Sequence, residues 1–375
     1  MGPWAGYSGD SKLPSQQSAE QTRVQEERLK AFEDMRKKRY AEIIEETENI
    51  DLERELPKPE VTAVFHGSEV HNYQGKSFVQ APGYLKQEKR GAQCCFIPKK
   101  WIHSFKGHSK PIQAVRFIKP YGHLALSASH DCKLKLWDVL TNRKCIMTYV
   151  GHEMPIRDIN FNQNGTKFLS ASFDRLIQIW DTETGKVIST VSNRRIPYCA
   201  LFHPEKDDVV MVGSENRKII QFDTRTGEIV HQYEDHMGPV NTITFIDNNK
   251  RFVTTADDKK VFVWEWGIPV VFKHIMDPDM FPIMKAALHP NGKYFAGQSM
   301  SGKIMIYDVK GGFKLNRKKQ FTGHILKASP CGICFSPDGQ FLCSGDALGK
   351  LWFWDWKSMK NYRTLAAHDG LCIDC

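Results

Sequence analysis

Residues 151–181 read GHEMPIRDINFNQNGTKFLSASFDRLIQIWD, and this stretch decides the fold. Gly151-His152 opens it, Trp180-Asp181 closes it, and between them lie three short runs rich in strand formers, Ile156–Phe161, Lys167–Ser172 and 177–180. A fourth run, 186–190, follows. Alternating runs of this length, parted by turns, read as antiparallel strands. The preceding segment has the same order: Gly107-His108, then runs at 114–117, 124–129, 133–137 and 145–149, with turns at His130-Asp131 and Asn142-Arg143. Working outward, the closing dipeptide or a near copy recurs at Trp137-Asp138, Trp180-Asp181, Phe222-Asp223, Trp264-Glu265, Tyr307-Asp308 and Trp354-Asp355, spaced 43, 42, 42, 43 and 47 residues apart. The opening pair or a variant of it stands at Gly107-His108, Gly151-His152, Asp235-His236, Gly323-His324 and Ala367-His368.

That period and those two dipeptides resemble WD40 repeats, whose four-stranded units are the blades of a β-propeller. The resemblance gives the polar residues a structural role. His108, Asp131, Trp137 and a serine of Ser127/Ser129 match the hydrogen-bonded tetrad of such a blade. So do His152, Asp174, Trp180 with Ser170/Ser172, and the set His236, Asp258 and Trp264. Recurring Asp, His and Ser imitate the parts of a hydrolase triad, but a triad needs one exposed nucleophile beside an oxyanion hole. Blades three and five depart from the pattern, with Asn216 and Ser301 at the aspartate position and no Gly-His; blade six has Leu348 there. Apolar packing is expected to carry these blades. Six complete sets are followed by residues 367–375, which begin another, while 101–105 reads as an extra outer strand. The expected fold is therefore all-β: a seven-bladed WD40 propeller over 101–375, its last blade cut short.

The N-terminal part differs in composition. Residues 1–19 are rich in Gly, Ser, Pro and Gln and read as disordered. From Ala19 to about Arg54, Leu29, Phe32, Met35, Tyr40, Ile43 and Ile44 recur at helical spacing in a charged background, stopped by Pro57 and Pro59. Residues 1–60 are thus expected to be a disordered segment and a charged helix, and 61–100 an irregular extension. Arg36-Lys37-Lys38-Arg39 reads as a solvated helix face rather than an import signal.

The formal charge of +9 is uneven: residues 20–60 carry 13 acidic and 9 basic side chains, leaving the rest strongly basic. A basic folded part suits an anionic partner, nucleic acid among them. Lys314, Arg317, Lys318 and Lys319 cluster inside the longest repeat spacing and are candidates for RNA or partner contact, against the reading of an edge strand guarded by lysines. Ten cysteines in a chain expected to be intracellular should be reduced. Cys331/Cys334 and Cys372/Cys375 have metal-like spacing, but residues three apart in a strand point to opposite faces, so both pairs read as small core residues. No apolar run approaches a membrane span, and no Walker loop, dinucleotide fingerprint, His-Glu-x-x-His or Gly-x-Ser-x-Gly occurs. No cofactor, no metal and no enzymatic activity are expected.

Beyond generic repeats, the chain resembles the pre-mRNA-processing factor 17 (cell division cycle protein forty) family of spliceosomal WD40 proteins. The resemblance rests on residues 2–7, GPWAGY; 73–78, YQGKSF; Pro98-Lys99-Lys100; 193–198, NRRIPY; Asp257-Asp258-Lys259; 263–269, VWEWGIP; and Asp355-Trp356. It runs over nearly the whole chain and is weakest over 19–60. It implies a nuclear, non-catalytic factor of the second step of splicing. Such a factor is held among U2, U5 and U6 RNAs and the large U5 scaffold protein, with the propeller as docking platform and the extension threading into neighbouring subunits. Family members carry a longer N-terminal region and complete the seventh blade. A rival reading is a substrate receptor of a cullin ubiquitin ligase, since Phe222-Asp223-Thr224-Arg225 departs by one residue from a Trp-Asp-x-Arg motif. A generic scaffold is the third.

Overall fold

Alternation of apolar and polar residues turns each run into a strand, and successive strands pair in chain order into small antiparallel sheets. The computed structural model describes residues 59–375 apart from 68–69, 72–74, 87–93, 278, 311 and 327–329. Six such sheets lie among the described residues. Blade one comprises β2 (Ile112–Phe117), β3 (Leu124–Ser129), β4 (Lys133–Asp138) and β5 (Cys145–Val150); blade two comprises β6 (Ile156–Phe161), β7 (Lys167–Ser172), β8 (Ile177–Asp181) and β9 (Val187–Val191). Blade three begins at β10 (Pro197–Phe202), blade four at β14 (Val240–Ile246), blade five at β18 (Ile283–Leu288) and blade six at β22 (Ile333–Phe335). First strands of successive blades face one another from blade one to blade six, which makes the first strand the inner one.

The repeat persists at the level of register. Five first strands slip by one residue at the same place, between Ile112/Ala114, Ile156/Asp158, Pro197/Cys199, Val240/Thr242 and Ile283/Lys285. Such a bulge bends and twists a strand, which suits one wrapping a ring axis. Among the described residues the core falls into five apolar clusters, which hold in turn the fully buried Trp180, Phe222, Trp264, Tyr307 and Trp354.

Six blades correct the expected seven-bladed design with a truncated last blade. The six closing marks match the six sheets; the repeat unit straddles two blades, the outer strand of one and the inner strands of the next, and the leftover ends at 101–105 and 367–375 add no further sheet. Leu371–Cys375 forms no sheet of its own; it lies in the seam between blades six and one. Gly332 N donates to Ile373 O at 2.7 Å on the blade-six side, and Asp374 accepts from Val115 N at 2.9 Å on the blade-one side. The outer strand expected at 101–105 is also not formed, and Trp101 and Ile102 are exposed. Those residues continue a strap across the same seam: Cys95 N donates to Asp338 at 2.9 Å and Arg363 to Lys99 O at 3.1 Å in blade six, and the Phe105 ring meets Trp137 in blade one.

The fifth strand of the first sheet comes from elsewhere. β1 (Thr62–Phe65) pairs antiparallel with β5, Thr62 opposite Val150 and Phe65 opposite Met147. It caps an otherwise open outer edge. The expected 19–54 helix lies outside the described residues, among which the one helix is the four-residue α1 (Gly83–Lys86).

Candidate functional site

The tetrad side chains are delivered by the turn before the first strand, by the second strand and its turn, and by the third strand. In blade two, His152 Nδ1 lies 2.6 Å from Asp174 Oδ2, His152 Nε2 lies 2.7 Å from Ser170 Oγ, and Trp180 Nε1 donates to Ser170 Oγ at 2.9 Å. Blade one places His108 2.9 Å from Asp131 and 2.8 Å from Ser127, with Trp137 donating to Ser127 at 2.8 Å. In blade four His236 meets Asp258 at 3.0 Å and Thr254 at 2.8 Å, and Trp264 donates to Thr254 at 2.8 Å. A neutral imidazole donating Nδ1–H to the carboxylate accepts the hydroxyl proton at Nε2, and the hydroxyl oxygen accepts the indole N–H. Every polar group in that line is used. Burial pushes His108 down although Asp131 pulls it up; for Asp131 burial pushes up, and the bond and charge of His108 together with the Ser109 and Lys133 amides hold the carboxyl low. Ser170 is fully buried, so the arrangement is a clasp and presents no nucleophile.

The glycine of each Gly-His pair has a steric cause. A Cβ at Gly151 would lie 2.7 Å from the Trp180 ring, and one at Gly107 would lie 3.1 Å from the Trp137 ring. Asp174→Ala is expected to lower stability by about 1–3 kcal/mol, because it leaves buried His152 without its acceptor. Denaturant unfolding of variant and parent measures this, and coincident curves would contradict a stabilising clasp.

Blade six is wired differently. The expected position, Leu348, is not the acid of this blade; Asp346 is, accepting Ile325 N at 3.1 Å and Trp352 Nε1 at 2.9 Å. Gln298 of blade five reaches His324 and Ser344, each at 3.2 Å, while His324 Nδ1 and Trp354 Nε1 find no hydrogen-bond partner among the described residues. Burial drops the His324 imidazole from 6.5 to about 4. The unfolded chain then binds the extra proton first, so stability is fully present above about 6.5 and declines as pH falls toward 4. At 1.36 kcal/mol per unit the loss is about 3 kcal/mol. Unfolding of His324→Gln against pH is expected to lack that decline, and equal slopes would contradict it.

Blades three and five, which lack the tetrad, are joined to the next blade by an unforeseen contact. Each carries His-Pro after its first strand, His203-Pro204 and His289-Pro290. Their imidazoles receive Trp266 of blade four at 4.4 Å and Trp356 of blade six at 4.5 Å between centroids. Both tryptophans stand two residues after the closing aromatic, a recurrence visible in the repeats. The stretch 193–198 also lies at a blade junction: Asn193 donates to Ser214 Oγ at 2.7 Å, and the Arg157 guanidinium of blade two sits 3.9 Å over the Tyr198 ring.

The four cations lie on β21 (Lys314–Phe321), the outer strand of blade five. Its pairing breaks between Met305 and Tyr307, so residues 316–319 bulge out of the ladder, with Asn316 Oδ1 accepting from the Lys318 and Lys319 amides at 3.2 Å each. This insertion contributes to the longest repeat spacing. Arg317 pairs with Asp277 at 2.8 Å, and Lys319 Nζ sits 3.6 Å over the Trp356 ring, where burial lowers its pKa. Lys314 and Lys318 stay exposed. Arg225 of the Phe222–Arg225 stretch lies 3.6 Å from Asp223 and 3.9 Å from Asp208.

Of the cysteines with metal-like spacing, one from each pair, Cys334 and Cys375, converges with Cys343. Cys343 carries no spacing signal with either pair.

The WD40 family model (WD domain, G-beta repeat) matches residues 99–138, 143–181, 227–265 and 315–355. Three of the four windows join one blade's outer strand to the next blade's inner three; in the first, 99–105 supplies no strand. Six sheets that repeat one four-stranded unit, with these matches, make the molecule a WD40 β-propeller protein. Pre-mRNA-processing factor 17 of mouse and that of human are each 43% identical over the whole chain and 62% of the relative, so the chain spans about three-fifths of their length. The yeast factor is 31% identical over 96% of the chain and 77% of the relative. The chain belongs to the pre-mRNA-processing factor 17 family.

Proposed function

We propose that this chain acts in pre-mRNA splicing as a non-catalytic component of the spliceosome, at the second step, in the nucleus. The observation that carries the reading is the yeast relative, a pre-mRNA-processing factor matched over 77% of its length. The geometry supports it. Tetrad hydroxyls are spent on clasping blades, and the surfaces left over are those of a platform for other subunits, the large U5 scaffold protein among them, beside U2, U5 and U6 RNA. On this reading the exposed Lys314 and Lys318 meet RNA phosphates, while Arg317 and Lys319 are held by Asp277 and Trp356.

The test is complementation. Nuclear extract depleted of the native factor is expected to accumulate the free upstream exon and the lariat intermediate, and the added chain to restore ligated exons. Lys314→Glu/Lys318→Glu is expected to restore them several-fold less well. Failure of the chain to rescue, with the full-length factor rescuing in parallel, contradicts the reading for this chain; equal rescue by the double variant removes the phosphate contact alone.

A further inference from the structure

The seam between blades six and one holds a second chemical feature. Cys334 on β22 and Cys343 on β23 (Phe341–Gly345) stand opposite each other in register, and Cys375 approaches from the seam segment. The three Sγ atoms lie within 4.8 Å of one another, with Cys375 and Cys334 3.6 Å apart. All three residues are half-buried.

Two features set this apart from cysteines packed as small apolar residues. The sulfurs come from three separate chain segments. In a zinc–thiolate site, bonds of about 2.3 Å at tetrahedral angles put sulfurs about 3.7–3.8 Å apart, close to the shortest spacing here.

We propose that Cys334, Cys343 and Cys375 form a three-thiolate site for a zinc ion that ties the seam segment to blade six. Zinc bound by the three thiolates displaces their thiol protons to solvent, and water fills the fourth position. No redox step is involved. The pairs 331/334 and 372/375 do not bind as pairs; the ligands are drawn across strands.

The experiment uses the full chain, reduced and stripped of metal, titrated with zinc and with cadmium as a spectroscopic stand-in. One tightly held ion per chain is expected, with a thiolate-to-cadmium charge-transfer band saturating at one equivalent. X-ray absorption of the zinc form should show three sulfur neighbours and one lighter one, a result independent of any variant. Cys343→Ser is expected to weaken zinc at least 10-fold, while Cys94→Ser/Cys95→Ser, which removes the neighbouring cysteines of the strap, leaves it unchanged. The proposal is overturned if the parent holds no zinc against a mild chelator or if fewer than three sulfurs surround the ion. It is equally overturned if the Cys94→Ser/Cys95→Ser variant loses the ion, or if the purified chain contains a Cys334–Cys375 disulfide in place of free thiols.

Discussion

Replacing Trp356 by alanine is expected to lower the unfolding free energy by about 3–5 kcal/mol, the range for emptying a large aromatic site in a packed interior. Trp356 is 8% exposed and sits where blades five and six meet. Its ring lies 4.5 Å from His289, 5.4 Å from Tyr294 and Phe335, and 5.8 Å from Phe321, and Lys319 covers it at 3.6 Å. The ring stands beside the other ties of blade five to blade six, the Gln298 bonds and the apolar packing around Phe321. Because several elements converge on the ring, collapse around the void is limited and the cost should fall high in the range. The same substitution is expected to free Lys319 and loosen the β21 bulge. Chemical denaturation with amide exchange of residues 314–321 checks both; a loss under about 1 kcal/mol would contradict the clasp.

The second large effect is expected at Asp374. Its carboxylate accepts from Val115 N at 2.9 Å and from Arg116 at 2.5 Å, and Arg116 reaches on to Asp158 of blade two at 3.3 Å. Burial opposes ionisation of Asp374, but Arg116, Lys285 and the Val115 amide together hold the carboxyl below its ordinary range. Asp158 accepts Ala200 N at 3.2 Å in the same manner, so this is a repeated inter-blade tie used here to close the seam. Removing one partner of a buried pair strands the other charge. Arg116 keeps 32% of its side chain exposed, which lowers the penalty, and Asp374→Ala should cost about 2–4 kcal/mol. Asp374→Asn, which keeps the shape and one acceptor oxygen, should cost less. Equal stability of the alanine variant and the parent would show that the seam is held by the strap alone.

What could be read from residues was what is local. Strand alternation and the Trp-Asp and Gly-His marks act within one blade, and three tetrads stand as their spacing suggests. The structure departs from the sequence reading where contacts are long-range. Thr62–Phe65 is a short run whose pairing partner lies more than eighty residues on, so nothing nearby marks it as a strand. The six closing marks match the six sheets; the seventh blade is expected from the leftover ends, whereas residues 101–105 and 371–375 serve as seam and not as a sheet. In blade six the acid was sought a fixed distance before Trp354, although Trp352 supplies the indole that Asp346 accepts; the doubled tryptophan was the available signal. Cys334, Cys343 and Cys375 meet from three segments, so spacing along any one strand carries no sign of their convergence.

The most direct test of the central reading is the company the chain keeps. Native complexes recovered on the tagged chain from nuclear extract and identified by mass spectrometry are expected to contain the large U5 scaffold protein, with U2, U5 and U6 RNAs co-purifying. Recovery of a cullin ligase adaptor without spliceosomal proteins, or absence of the chain from nuclear complexes, would contradict it.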